Sequence, residues 1–186
     1  MTREASDEAL LAGYLSGDDA MFSELVHRYE RPLHGFICRL TGQPGVAADL
    51  FQETFVRVVE KGQTFEGRSR FKTWLYAIAA NLCRSHLRRK GRETPTPDPP
   101  ERPDEGLGPN GAARDREVGE RIAAAVAALP VAQREVFILK TYDELTYAQI
   151  AQALGRPVGT VKTQMRAALG KLRRDLRSIA EAYGVT

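Results

Sequence analysis

Three groups of residues in this 186-residue chain could do chemistry, and in each the chemistry is recognition rather than catalysis. The first is Asp49, Gln52 and Glu53, in the run DLFQETF. Positions i, i+3 and i+4 share one face of a helix, while Leu50, Phe51 and Phe55 claim the opposite face. A compact carboxylate–amide patch on a rigid helix suits an arginine-rich surface of a protein partner. A solvated helix face fits the same spacing. The second group lies in residues 62–92, where Phe65, Phe71, Trp74 and Tyr76 are interleaved with Arg68, Arg70 and Lys72. Lys and Arg hold phosphates, and exposed aromatic faces stack on unpaired bases. Phe71 and Trp74 also fit an apolar helix stripe. Ala77, Asn81, Arg84 and Arg88 make a second, polar stripe, with Asn81 suited to a base edge and the arginines to phosphates. The loop before this helix could hold a base turned out of the stack. A solvated basic helix end competes for Arg88, Arg89 and Lys90.

The third group is residues 145–172, LTYAQIAQALGRPVGTVKTQMRAALGKL. Thr146 and Gln149 have the spacing of a capping box. Ile150 and Leu154 share a face, and small Ala151 admits a neighbouring helix. Gly155 supplies a turn in which a left-handed backbone costs little. Pro157 and Gly159 then stop the first helix and help to start a second. Val161, Met165, Ala168, Leu169, Leu172 and Leu176 form its apolar stripe. The other face carries Thr160, Lys162, Thr163, Arg166, Lys171, Arg173, Arg174 and Arg177. A helix that is apolar on one side and cationic on the other, led by a glycine turn, suits the major groove. An ordinary helical hairpin with a solvated basic face is the alternative.

Composition narrows the choice. Net charge is only +3, but it is unevenly placed. Residues 1–61 hold 6 Lys+Arg against 10 Asp+Glu, and residues 62–92 hold 8 against 1. Residues 93–120 hold 3 against 8, and residues 121–186 hold 10 against 5. Two basic blocks separated by an acidic one point to two contacts with a polyanion. Cys38 and Cys83 are isolated, as small apolar residues in a reducing cytosol would be. His27, His34 and His86 are scattered and match no metal motif. No phosphate-binding loop or nucleophile–base pair is legible, so neither an enzyme nor a cofactor is expected. The acidic start MTREASDEAL lacks a secretory pattern, and no run is apolar enough for a membrane span, so a cytoplasmic protein without membrane insertion is expected.

The elements that must position these groups read as helices throughout. Helices are expected over 7–16, from residue 18 or 19 to Leu40 with a kink or break at Pro32, over 46–61 and over 71–90. Residues 42–45 read as a turn and 62–70 as a loop. Residues 91–110 contain six prolines and three glycines and almost no large apolar side chains, the composition of a flexible linker. Helical periodicity returns from Ala112 to Leu129, and Pro130 opens another helix before the hairpin. The predicted fold is all-α: two small helical domains, 1–90 and 113–186, joined by a flexible linker over 91–112.

Taken in order, DLFQETF, FKTWLYAIAANLCRSHLRRK, LPVAQREVFIL and the hairpin resemble the sigma-70 family, in particular its extracytoplasmic-function (ECF) sigma factors. The likeness covers nearly everything from Leu25 to Leu176. It implies a promoter-specificity subunit that binds core RNA polymerase (beta-prime and beta subunits) and promoter DNA. Asp49, Gln52 and Glu53 match the patch that docks on the beta-prime clamp. Phe65, Arg68, Arg70, Phe71, Lys72, Trp74, Asn81, Arg84 and Arg88 match the element that melts and reads the minus-ten sequence. Arg156, Thr160, Lys162, Thr163, Gln164, Arg166 and Lys171 fall on the minus-thirty-five reader. The linker matches the segment that threads the active-site cleft and RNA exit channel. An anti-sigma partner is implied as well. The chain departs from many relatives in having Thr163–Gln164 in place of Ser-Arg, and Ala167 in place of a further Arg, which leaves its base contacts open. A free-standing helix-turn-helix regulator is the competing reading, although it leaves DLFQETF unexplained. An adaptor that only sequesters an anti-sigma factor would not need the basic stripes.

Overall fold

The computed structural model describes residues 5–90 and 112–177. Most of the predicted linker lies outside the described residues. Those described form eight α-helices and one short 3-10 turn, without strands.

Helix α1 (Asp7–Leu15) is capped by Ser6, and α2 (Asp19–Thr41) by the Asp18 carboxylate, which accepts from the Ala20 amide at 3.0 Å. Of the kink or break expected at Pro32, the break does not occur: α2 runs through Pro32, which lies on an exposed position. A proline in a helix interior costs about 3 kcal/mol. Leu33, Phe36, Ile37 and Leu40 are each 0% exposed, and burying each is worth roughly 1.5–3 kcal/mol, so packing outweighs the lost backbone bond. The expected turn at 42–45 is shorter too. Gly42 ends α2 in a left-handed conformation (φ 69°), and Pro44 already opens α3 (Pro44–Lys61), because proline is preset for the first helical position. A 3-10 turn over Gly62–Thr64 and a loop lead into α4 (Phe71–Lys90), whose bounds are those predicted.

In the C-terminal half, α5 (Ala112–Ala127) stops two residues short of the expected Leu129. Pro130 disfavours a helical residue before it and cannot donate to a continuing ladder. Next come α6 (Val131–Thr141), α7 (Tyr147–Leu154) and α8 (Val158–Asp175). The Thr146–Gln149 capping box forms, with bonds of 2.8 and 3.2 Å, and Gly155 takes φ 63°. Along α8, Val161, Met165, Ala168 and Leu172 are buried. Leu169, predicted inward, is 46% exposed. It lies one position past Ala168, about 100° further round the helix, and the buried stripe is narrower than the sequence suggested.

Helices α1–α4 pack on one another, as do α6–α8, but the halves also meet. Helix α4 packs on α7, and α2 packs on α5 and α6. The buried apolar residues of both halves form a single continuous cluster. No described helix is long and apolar enough to cross a membrane.

Candidate nucleic-acid interface

On α3, Ala47, Leu50, Thr54, Phe55 and Val58 are buried, which turns Asp49, Gln52 and Glu53 outward. Asp49 and Gln52 are exposed, and Glu53 is half-buried. Arg57 bridges Glu53 at 3.4 Å and Glu60 at 2.9 Å, so the patch is held in place while its outer end stays open. The same helix exposes Val56 (54%) and Val59 (43%). Sequence reasoning passed over these two, although apolar residues outside the core stripe were the available signal. Val59 joins Tyr14, Leu15, Gly17, Glu60 and Gln63 around an open groove beside the acidic patch.

The second group is built on the loop before α4. Gly67 takes φ 68°, which turns the loop back. Phe65 packs against Trp74 (centroids 5.2 Å apart) and Phe71 (6.2 Å). Thr64, Phe65, Glu66, Arg68, Ser69 and Trp74 line a hollow open to solvent. The start of α4 is fixed from α1, where the Glu8 carboxylate accepts the Phe71 amide at 2.8 Å. That bond holds the Glu8 carboxyl below its usual range.

The nine residues assigned to the minus-ten element do not all face outward. Arg68, Arg70, Asn81 and Arg88 are exposed, and Phe65 and Trp74 are half-buried. Phe71 is 0% exposed and offers no face for a base; it supports Phe65 and Trp74 from below. Tyr76, grouped with these aromatics by sequence, is also 0% exposed. Lys72 and Arg84 turn toward the C-terminal half. Lys72 Nζ donates to the Asp143 carbonyl at 2.8 Å, and Arg84 Nη1 lies 3.6 Å from Glu135 Oε1. Arg84 also donates to Asn81, and Arg88 to Ser85 at 3.3 Å.

The third group is a helix-turn-helix. On α8, Thr160, Lys162, Thr163 and Arg166 are exposed, and Lys171 is half-buried. Thr163 donates its hydroxyl to the Gly159 carbonyl at 3.0 Å. Arg156, half-buried, is already engaged within the fold. It spans the hairpin as a strut, with Nη2 on Glu135 Oε2 at 2.5 Å and Nη1 on Gln164 Oε1 at 3.1 Å. This fixes the Gln164 amide with its oxygen directed inward. Glu135, 0% exposed, is therefore the buried counter-ion of the hairpin, and helical periodicity alone placed no charge there. Among the described residues no cluster of ligands could hold a metal.

Comparison with known proteins accords with this geometry. The family model described as sigma-70 region 2 matches residues 25–93, and the one described as sigma-70, region 4 matches residues 119–172. The chain is 32% identical over 174 residues to the ECF RNA polymerase sigma factor SigW of Bacillus subtilis, covering 88% of this chain and 92% of that protein. It is 30% identical to the RNA polymerase sigma-H factor of Pseudomonas aeruginosa, covering 89% and 91%. Two solved structures share the fold. One is the sigma factor RpoE in complex with the anti-sigma factor NepR from Bartonella quintana (TM-score 0.70, 25% identity, 84% of this chain and 96% of that one). The other is CnrH in complex with the cytosolic domain of CnrY (TM-score 0.71, 26% identity, 94% and 99%). The fold and the two matched regions define a sigma-70 type initiation factor. Within that class, this chain belongs to the ECF RNA polymerase sigma factors, which sets aside the free-standing regulator.

Proposed function

We propose that this sigma factor recruits core RNA polymerase to two-part promoters by dividing the task among three rigid helix faces. Asp49, Gln52 and Glu53 on α3, extended by Val56 and Val59, dock on the beta-prime subunit, while the beta subunit contacts the C-terminal half. The loop and outward face of α4 (Phe65, Arg68, Arg70, Trp74, Asn81 and Arg88) take the unpaired minus-ten strand. Stacking on aromatic rings offsets the few kcal/mol lost per unstacked step. The α8 face of Thr160, Lys162, Thr163 and Arg166 enters the minus-thirty-five major groove. The two readers correspond to domains 1–90 and 113–186, with 91–112 between them. Acting with polymerase, the chain is read as a cytoplasmic, non-enzymatic initiation subunit. One similar structure was solved with an anti-sigma factor, and a protein of that kind is proposed to restrain this chain as well.

The observation that carries the reading is α8. On its polar face Thr160, Lys162, Thr163 and Arg166 are exposed, opposite buried Val161, Met165, Ala168 and Leu172, with a left-handed Gly155 setting the turn before it. Run-off transcription from sheared genomic DNA with sigma-free core polymerase tests it. Discrete start sites that depend on this chain are expected. Their complete absence, with no inhibitor protein present, would overturn the reading.

A further inference from the structure

The strut from Glu135 through Arg156 does more than brace the hairpin, because its outer end lands on a side chain of the reading helix. We propose that Gln164 is a specificity residue of the minus-thirty-five reader. Glu135 and Arg156 hold its amide so that it meets DNA as a hydrogen-bond donor alone and selects a keto base, guanine or thymine. The proposal rests on the assignment of α8 to the minus-thirty-five major groove.

The geometry is a chain of fixed partners. Glu135 on α6 is 0% exposed, and its Oε2 accepts from Arg156 Nη2 at 2.5 Å. The same guanidinium donates from Nη1 to the Ala132 carbonyl at 3.3 Å and to Gln164 Oε1 at 3.1 Å. Arg156 thus ties α6 to α8 from the residue just after the Gly155 turn, and its side chain keeps only 19% of its surface in water. A planar guanidinium held through both terminal nitrogens is fixed in orientation as well as in place. Gln164 is half-buried, next to exposed Thr163 and one helical turn beyond exposed Thr160. It therefore stands at the edge of the reading face, with one end of its amide toward the protein and the other toward the groove.

The polarity of that amide follows from chemistry. Arginine carries donors and no acceptor, so the amide atom that faces it is the oxygen. The Gln164 nitrogen, with its two donor hydrogens, is the atom left for DNA. A free glutamine reads adenine with both ends at once, accepting from N6 and donating to N7. With Oε1 engaged by Arg156, that pairing would break the strut. In the major groove guanine O6 and thymine O4 are acceptors, whereas adenine N6 and cytosine N4 are donors. A side chain that only donates is matched by the first two and faces another donor in the second two, a repulsive element of the kind on which discrimination depends. The adenine preference ordinary to glutamine is thereby turned away from adenine by a buried carboxylate on another helix. The other Glu135 oxygen faces Arg84 of α4 at 3.6 Å, and a change there would not single out one base of the minus-thirty-five element.

The test is initiation by the full chain with core polymerase on a barcoded promoter library. The library is randomised through the minus-thirty-five element of a start site found by run-off transcription, and sequenced transcripts give base preference position by position. At one position the wild type is expected to favour guanine or thymine over adenine and cytosine by about fivefold, the worth of one net hydrogen bond. Gln164→Ala should flatten that position alone. Glu135→Gln with Arg156→Met removes the strut without leaving a buried charge unpaired. It should raise adenine at the same position about threefold or more, and adding Gln164→Ala should erase the gain. If Gln164→Ala alters no single position, or alters one at which the wild type favours adenine, the proposal falls. It falls too if the strut variant keeps the wild-type preference, weakens all positions alike or loses its helical circular dichroism, since the strut would then be structural only. An adenine gain that survives without Gln164 would overturn the relay as well. If no position of the element affects initiation by the wild type, the α8 reading itself is lost, an outcome distinct from all of these.

Discussion

At the scale of single residues, two buried carboxylates stand out, and neither was visible as special in the sequence. Glu135 is enclosed with Arg156 on one oxygen and Arg84 near the other. Removing one partner of a buried ion pair typically costs 3–5 kcal/mol. The Arg156 side chain keeps 19% of its surface in water and can rehydrate in part, so Glu135→Ala is expected to cost roughly 2–4 kcal/mol. Chemical denaturation would measure it, and a loss below about 1 kcal/mol would show that the strut is dispensable. Asp143 gives a pH dependence. Burial pushes its carboxyl from 3.8 up to about 6, although the Tyr76 hydroxyl, Lys72 and Arg39 pull the other way. Below about 4 the group is protonated whether buried or exposed, and between 4 and 6 only the buried form keeps its proton. Its contribution to stability is therefore full below about 4, declines as pH rises to 6 and is absent above. Asp143→Asn is neutral throughout. Relative to this variant, the wild type should lose on the order of 1–3 kcal/mol of stability between pH 4.5 and 7. Parallel curves would refute the assignment.

At the scale of elements, local rules and packing contribute separately. The Thr146–Gln149 capping box satisfies two amide donors at the start of α7. Thr146→Ala should cost about 1 kcal/mol by thermal or urea melting. The box was legible because its partners lie three residues apart, as were the Gly155 turn and both ends of α4. The passage of α2 through Pro32 was not legible, because it depends on what Leu33, Phe36, Ile37 and Leu40 pack against. Leu169 fits an apolar stripe by spacing yet lies in water, since only the neighbouring helices decide how wide that stripe is. On the exposed face of α8, Lys162→Ala with Arg166→Ala should weaken binding to minus-thirty-five duplex by roughly 1–3 kcal/mol for each specific contact. The slope of affinity against salt should also become shallower. An unchanged affinity and slope would remove both residues from the interface.

At the scale of the whole molecule, the chain must bind polymerase and span a promoter. Asp49→Lys with Glu53→Lys inverts the exposed patch on α3 and leaves its buried stripe alone. Co-purification with core polymerase should be lost while the melting temperature is kept, and retained binding would refute the dock. The 22 peptide steps from Lys90 to Ala112 extend to at most about 75 Å, which limits how far apart the two readers can stand. What the sequence by itself determined was everything with a short range: helical periodicity, caps and turns, the two basic blocks, and the motifs by which the chain resembles its family. Only the tertiary structure decided which of those side chains are available. Phe71 and Tyr76 are consumed by the core, Arg156 by Glu135, and Lys72 and Arg84 by the opposite half of the chain. The physical reason is that a residue's type and its place in a local repeat are written next to it, whereas burial and charge pairing depend on partners 51 and 71 residues away, such as Glu135 for Arg84 and Asp143 for Lys72.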